Sequence, residues 1–300
     1  MKKIYTVLFC ISFSFVFAQG NSSNLRRVNR EVEKIMSLTS DIIDGVMMYE
    51  KSKKLKPLIE EQFSTWRKSK RSIARLNEPE EAPLVVASEL HVGGIVELTS
   101  APLVDWLNED PRSDFGHEYV AAVEQHFAAL EAVMEEYAET YEITLRESKI
   151  LERYNKQMEL FAYTKEMKAG ANEVDSLVSF LQEHIGTTDL EPLYSAQKLL
   201  IKGLSHHIRG YGDEQFYNGQ TELHESYQKY YMELLELTSA DLLADLTKMK
   251  YDLVEYNEIA SSTAASASRT LSFFDNELKL LAKREARFVK KNLPKPPKKK

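Results

Sequence analysis

The chain has 300 residues, of which 43% are hydrophobic and 28% are charged, with 46 acidic side chains against 39 basic ones. This apolar fraction is close to that of globular proteins and excludes a wholly disordered chain. Eleven glycines and nine prolines are too few for a collagenous chain or a turn-rich β-sandwich. The composition predicts a folded protein with a sizeable core, built as one elongated domain or two compact ones.

The first 18 residues have the pattern of a secretory signal peptide. Two lysines precede an uncharged run, Ile4–Ala18, and Val16 and Ala18 occupy the small-residue positions of a cleavage site before Gln19. Cleavage there removes Cys10, the single cysteine, and leaves 282 residues with a formal charge of −9. We therefore expect an exported protein, periplasmic or extracellular, without disulfides or cysteine-bound metal. The alternative is an uncleaved membrane anchor; the mature chain has no second uncharged run of that length.

Most of the remaining chain has the 3.6-residue apolar periodicity of amphipathic helices. In chain order, the predicted helices cover residues 22–49, 57–77, 116–168, 173–185, 190–208 and 220–290. Within the third, apolar residues from Val123 to Tyr141 are spaced alternately four and three apart, as in a coiled coil. Gly170 is predicted to end that helix, and Thr238-Ser239 to form a joint in the last one. The small-residue tract 260–268 is predicted to be helical, with a flexible loop as the alternative.

Residues 79–115 interrupt the helical pattern and contain six of the chain's 20 glycines and prolines. Short apolar stretches flank Gly93-Gly94, which predicts either a β-hairpin with a two-residue turn or two short helical turns around a flexible joint. The predicted fold class is therefore all-α. We expect an elongated antiparallel bundle of long, coiled-coil-like helices over 19–289, with a short irregular insertion or cap at about 79–115.

Charge is segregated along the chain. Residues 51–75 carry nine lysines and arginines against two glutamates, whereas residues 76–145 carry 16 acidic side chains against one arginine. The simplest interpretation is that the basic helix lies antiparallel to 116–145, so that opposite charges pair within the molecule. The alternatives are an acidic surface for a cationic partner and a basic surface for a polyanion.

The C-terminal segment, residues 290–300, carries six lysines and three prolines, a composition typical of an extended, disordered tail. One interpretation is a solvated tail, and the other is a tail that contacts anionic lipid headgroups or envelope polymers. Aromatic residues are not interleaved on a basic face, so we expect no nucleic-acid partner. The candidate partner-binding residues are Lys290, Lys291, Lys298, Lys299 and Lys300.

The sequence contains none of the common catalytic motifs that are recognised by the spacing of their residues. A metalloprotease His-Glu-x-x-His, paired Glu-x-x-His di-iron motifs, a Gly-x-Ser-x-Gly elbow and a phosphate-binding glycine loop are all absent. Weak metal-ligand candidates are Asp114 with His117, three residues apart at a predicted helix start, and His224 with Glu225. We therefore expect no catalytic residues, no cofactor and no enzymatic activity.

These features favour an exported, non-enzymatic helical-bundle protein of a bacterial-type cell envelope, which binds or scaffolds a protein or an anionic component. A second hypothesis is a membrane-active protein that uses the apolar segment 82–106. In layout this segment resembles the hydrophobic tongue of cytolysin-A-like α-pore-forming proteins, although Glu89, Glu97 and Asp105 would be costly in hydrocarbon. A third hypothesis is a metal or small-ligand carrier.

Overall fold

The computed structural model describes residues 19–48, 52–76, 82–100, 103, 105, 115–145, 148–210 and 216–297. These residues form eight long helices and no β-strand, so the predicted all-α class is confirmed. The helices are α1 Gln19–Met47, α2 Ser52–Ile73, α3 Ala82–Thr99, α4 Phe115–Thr140, α5 Lys149–His184, α6 Glu191–Gly210, α7 222–256 and α8 Ser261–Asn292. The predicted signal peptide 1–18, Asp114 and Lys298, Lys299 and Lys300 lie outside the described residues.

Contacts divide the chain into two compact units, residues 1–158 with 293–300, and residues 159–292. The boundary between them falls inside α5. The predicted single bundle domain over 19–289, its elongated shape and its coiled-coil character stay predictions.

In the first unit, α1 and α2 form an antiparallel pair. The hydroxyl of Ser69 donates to the Glu31 carboxylate at 2.7 Å, and the Gln62 amide donates to Thr39 Oγ1 at 2.7 Å. Residue numbers thus rise along α1 as they fall along α2. The apolar stripes that the sequence predicts face each other, and these hydrogen bonds pair the Ser69 hydroxyl and the Gln62 amide N–H group that are buried between them.

The predicted pairing of the basic helix with residues 116–145 is wrong, because α2 packs mainly on α1. Its buried face is Leu55, Ile59, Trp66 and Ile73. Burying one such side chain contributes about 1.5–3 kcal/mol, whereas an exposed ion pair contributes about 0–1 kcal/mol. The apolar stripe therefore decides the partner of α2. An ion pair does join it to α3, where Lys70 Nζ lies 3.4 Å from Glu89 Oε1.

Residues 82–99 are helical, so the β-hairpin interpretation of this part of 79–115 is wrong. Of the alternative, two short helical turns around a flexible joint, the helical part is confirmed, but the joint is a π-helical turn. Two α-helical segments, Ala82–Ala87 and Gly93–Thr99, are joined by a π-helical turn, Ser88–Val92. The buried positions are Leu84, Ala87, Ser88, Val92, Ile95, Val96 and Thr99. Their spacing is that of a helix face, and it outweighs the turn signal of the paired glycines. A Cβ at Gly94 would lie 2.6 Å from the ring of His126 in α4, so this glycine permits close packing.

The long helix predicted over 116–168 is two helices, because the chain turns after Thr140, with Glu142 at φ 52°. The coiled-coil-like positions from Val123 to Tyr137 are buried in α4. Gly170, in contrast, does not end a helix: α5 continues through it to His184. A Cβ at position 170 would lie 2.7 Å from the ring of His207 and from the Tyr231 hydroxyl, so this glycine lets two neighbouring side chains approach the backbone.

In the second unit, α7 packs on both α6 and α8. The predicted joint at Thr238-Ser239 is a π-helical turn, Thr238–Leu242, inside a continuing helix. The carbonyl of Thr238 accepts a hydrogen bond from the Gln197 amide at 3.1 Å, which satisfies a backbone group at the turn. The break comes later, at Asn257, whose φ of 58° ends α7. The tract 260–268 is helical from Ser261, as predicted.

Candidate functional site

The described metal-ligand candidates do not converge on a metal site. His117 is half-buried in the first turn of α4, in the first unit. His224 is buried at the start of α7, in the second unit, with its ring edge-on to Phe216, and its neighbour Glu225 is exposed. Among the described residues, no group of three or more His, Cys, Asp or Glu side chains could hold a metal ion.

A largely buried charged cluster in the first unit joins α1 to the start of α5. The guanidinium of Arg153 donates to Asp44 at 2.6 Å and forms an ion pair with Asp41 at 2.7 Å. Gln157 donates to Asp44 and to the Ser40 carbonyl. Burial raises the pKa of Asp44 to about 6, although Arg153 and Gln157 favour the carboxylate. Because each charged group faces a partner, this cluster fixes the packing of two helices.

Two histidines of the first unit form a hydrogen-bonded pair that sequence reasoning missed. The Nδ1 atoms of His91 and His126 are 3.3 Å apart, and their ring centroids are 5.6 Å apart. For a given distance between two ring nitrogens, the ring centroids are farthest apart when both nitrogens lie on the line that joins the rings. The observed centroid distance is close to that limit, so the two nitrogens point at each other. The geometry suits one shared proton rather than a common metal ion. Loss of hydration, and then the charge of His91, lower the pKa of His126.

A basic groove lies in the second unit between the start of α7 and the end of α8. It has a volume of about 240 Å³ and is lined by Glu222, Ser226, Arg284, Arg287, Phe288 and Lys291. Lys291 Nζ lies 2.6 Å from Glu222 Oε1, in a pair whose side chains are 55% and 60% exposed. In the described part of the chain, no carboxylate lies within ion-pair distance of the two arginines.

The groove is continuous in sequence with the lysine-rich C-terminal segment. Residues 284–300, here called the basic end, carry eight lysines and arginines against one acidic residue, Glu285. Glu285 is buried and accepts a hydrogen bond from the Tyr227 hydroxyl at 2.9 Å, so it faces the core rather than the solvent. Lys290 and Lys291 are exposed. In the described part of the basic end, residues 284–297, the exposed charge is therefore positive throughout.

Sequence reasoning placed the start of the basic segment at residue 290 and missed the two turns of α8 before it. Arg284, Arg287 and Lys291 are spaced by three and four residues, which places them on one face of a helix. This spacing was the one feature of the sequence from which the basic face of α8 could have been predicted. The presence of Glu222 in the groove could not be predicted, because Glu222 belongs to a helix that lies 60 or more residues earlier in the sequence.

Among the described residues, one helix is long and apolar enough to cross a membrane, by length and composition alone. Residues 82–99, which form α3, have a mean hydropathy of 1.2, and 39% of them are buried inside the protein. The core helix of a soluble protein passes the same criterion, so this finding alone is weak support for a membrane role.

Comparisons of the chain with models of known protein families, with curated proteins and with solved structures found no match.

Proposed function

We propose that this is an exported, non-enzymatic helical protein that acts by binding an anionic surface of a bacterial-type cell envelope through its basic end. The observation that carries the proposal is the concentration of positive charge in residues 284–300, which hold eight lysines and arginines against one glutamate, in a chain whose formal net charge is −7. The signal-peptide pattern supports export, and phosphate-bearing lipid headgroups are the anionic groups that an envelope presents.

The electrostatic free energy of several basic side chains is large enough to support binding through this end of the chain. A lysine or arginine near an anionic membrane contributes about 1 kcal/mol, so several of them together give measurable affinity. The other basic stretch, residues 51–75, is followed directly by the acidic residues 76–145, and its Lys70 is paired with Glu89, whereas no acidic run adjoins the basic end. Because the interaction is electrostatic, it weakens as salt shortens the Debye length from about 10 Å at 0.1 M to about 3 Å at 1 M.

The proposal is tested by co-sedimentation of the protein with vesicles of an anionic phospholipid, with zwitterionic vesicles as the reference. Changing Lys298, Lys299 and Lys300 to Gln is expected to weaken binding at low salt by at least tenfold. A matched variant changes three exposed lysines elsewhere, Lys198, Lys248 and Lys250, to Gln and removes the same charge. Equal losses in the two variants, or no binding of the unmodified protein, would contradict the proposal.

A second candidate function is membrane insertion by α3. Val86 and Leu90 lie one turn apart on this helix and are 63% and 62% exposed, so an apolar strip faces the solvent. Release of dye from liposomes would support this function. The loss of that release in a Val86→Gln, Leu90→Gln variant with unchanged helical content would assign it to the strip. Intact vesicles at high protein concentration would exclude it.

A further inference from the structure

We propose that the groove lined by Arg284, Arg287 and Lys291 is a binding site for a single phosphate group, as an ester or as free phosphate. This inference rests on the proposed function and deepens it, because it assigns one group of the anionic partner to a defined site. The remaining lysines of the basic end contribute long-range attraction without a fixed geometry.

The donor set of the groove matches phosphate chemistry. Each guanidinium presents N–H donors in a planar fork that fits two oxygens of a phosphate, and two such forks lie three residues apart on α8. Arg284 acts electrostatically on the Glu277 carboxylate, but among the described residues neither arginine has a carboxylate within ion-pair distance. The volume of about 240 Å³ is below the 300–1,000 Å³ typical of pockets for drug-sized ligands, which suits a small charged group.

Glu222 acts as an internal competitor for the site. Its carboxylate holds Lys291 at 2.6 Å, but both side chains are more than half exposed, and such pairs are weak. A phosphate monoester, with a charge of about −1.5 to −2, can replace the single charge of the carboxylate on Lys291. A lipid phosphodiester carries one charge, but it also offers its oxygens to the two arginines. Glu222 is the first residue of α7, where a carboxylate is favoured by the helix dipole, so its release from Lys291 leaves it in a favourable position.

The test is a calorimetric titration of the full-length protein with inorganic phosphate at low ionic strength, with acetate as the carboxylate reference. We expect Arg287→Gln to weaken phosphate binding at least tenfold. The matched control is Lys283→Gln, which removes one positive charge from an exposed residue of the same helix that does not line the groove; we expect a change below twofold. Glu222→Gln removes the competitor and is expected to tighten binding several-fold.

Equal effects of Arg287→Gln and Lys283→Gln would overturn the inference, since they would show diffuse electrostatics and no site. Weaker binding by Glu222→Gln, or acetate bound as tightly as phosphate, would overturn it as well. If Arg287→Gln also weakens binding to anionic vesicles, the phosphate is that of a lipid headgroup; if vesicle binding is unchanged, it is a free or polymer-bound phosphate. A third result separates the two proposals. If phosphate binding depends on Arg287 but the protein does not bind anionic vesicles, the phosphate site stands and the proposed function is refuted.

Discussion

Two glycines in the middle of helices give a matched test of the packing in the second unit. A Cβ at Gly170 would lie 2.7 Å from the His207 ring and from the Tyr231 hydroxyl. At Gly203 in α6, the nearest atom to a new Cβ is Glu173 Oε1, at 3.8 Å, which is ordinary contact. Alanine therefore fits at one position and collides at the other.

The two substitutions share one favourable contribution and differ in a steric one. Replacing a mid-helix glycine by alanine stabilises a helix by about 0.5–1 kcal/mol. We expect Gly203→Ala to show this gain. At Gly170 the added methyl must displace two rings that stack on each other, with centroids 5.1 Å apart. Overpacking of this kind costs about 1–3 kcal/mol, so the expected net effect of Gly170→Ala is a loss of about 1–2 kcal/mol.

The assay is urea unfolding followed by circular dichroism at 222 nm, with both variants compared with the unmodified protein. The reasoning predicts a lower midpoint for Gly170→Ala and a higher midpoint for Gly203→Ala. If Gly170→Ala stabilises the protein as much as Gly203→Ala does, the close approach of His207 and Tyr231 to α5 is refuted.

Further predictions concern buried titratable groups, and urea unfolding at several pH values checks them. The raised pKa of Asp44 means that the folded state binds more protons than the unfolded state between about pH 4 and pH 6, so its contribution to stability falls as pH rises through about 6. Asp44→Asn should remove this slope, and an unchanged slope would show that Asp44 is not its source. The lowered pKa of His126 has the opposite effect, because here the unfolded state binds more protons than the folded state. The contribution of His126 to the free energy of unfolding is therefore lost as pH falls below about 6.5, the pKa of an unperturbed histidine. His126→Gln should therefore be less sensitive to acid than the unmodified protein; equal sensitivity would contradict the shift. Tyr227→Phe removes a hydroxyl that donates to buried Glu285, and we expect it to destabilise the protein by about 1.5–3 kcal/mol at pH 7, whereas a change below 0.5 kcal/mol would argue against this hydrogen bond.

The fold class was predictable because helical periodicity is a local property. The exposed and buried faces of α1, α2 and α4 follow from the spacing of their apolar residues, and the structure agrees with that spacing. Two of the errors concern glycine. At Gly93-Gly94 and Gly170 the sequence pattern predicts a turn or a helix end, but the structure keeps a helix. Glycine serves both for backbone freedom and for close approach, and only the neighbours distinguish these uses.

The partner of each helix and the composition of the sites were less predictable, for a different reason. The charge pattern favoured pairing of α2 with the acidic helix α4, yet α2 packs on α1 because burial of apolar surface outweighs exposed ion pairs. The His91–His126 pair joins residues 35 positions apart, and the groove combines Glu222 with Arg287. Such contacts depend on tertiary packing, which a single sequence does not specify.

The central claim, that the protein works by contact through its basic end, is tested most directly by the reactivity of its lysines toward an acylating reagent. The measurement compares each lysine by mass spectrometry with and without anionic phospholipid vesicles. The account predicts that Lys290, Lys291, Lys295 and the three lysines at 298–300 lose reactivity, while the exposed lysines of α2 do not. Protection confined to α2, or no protection of any lysine, would contradict the account.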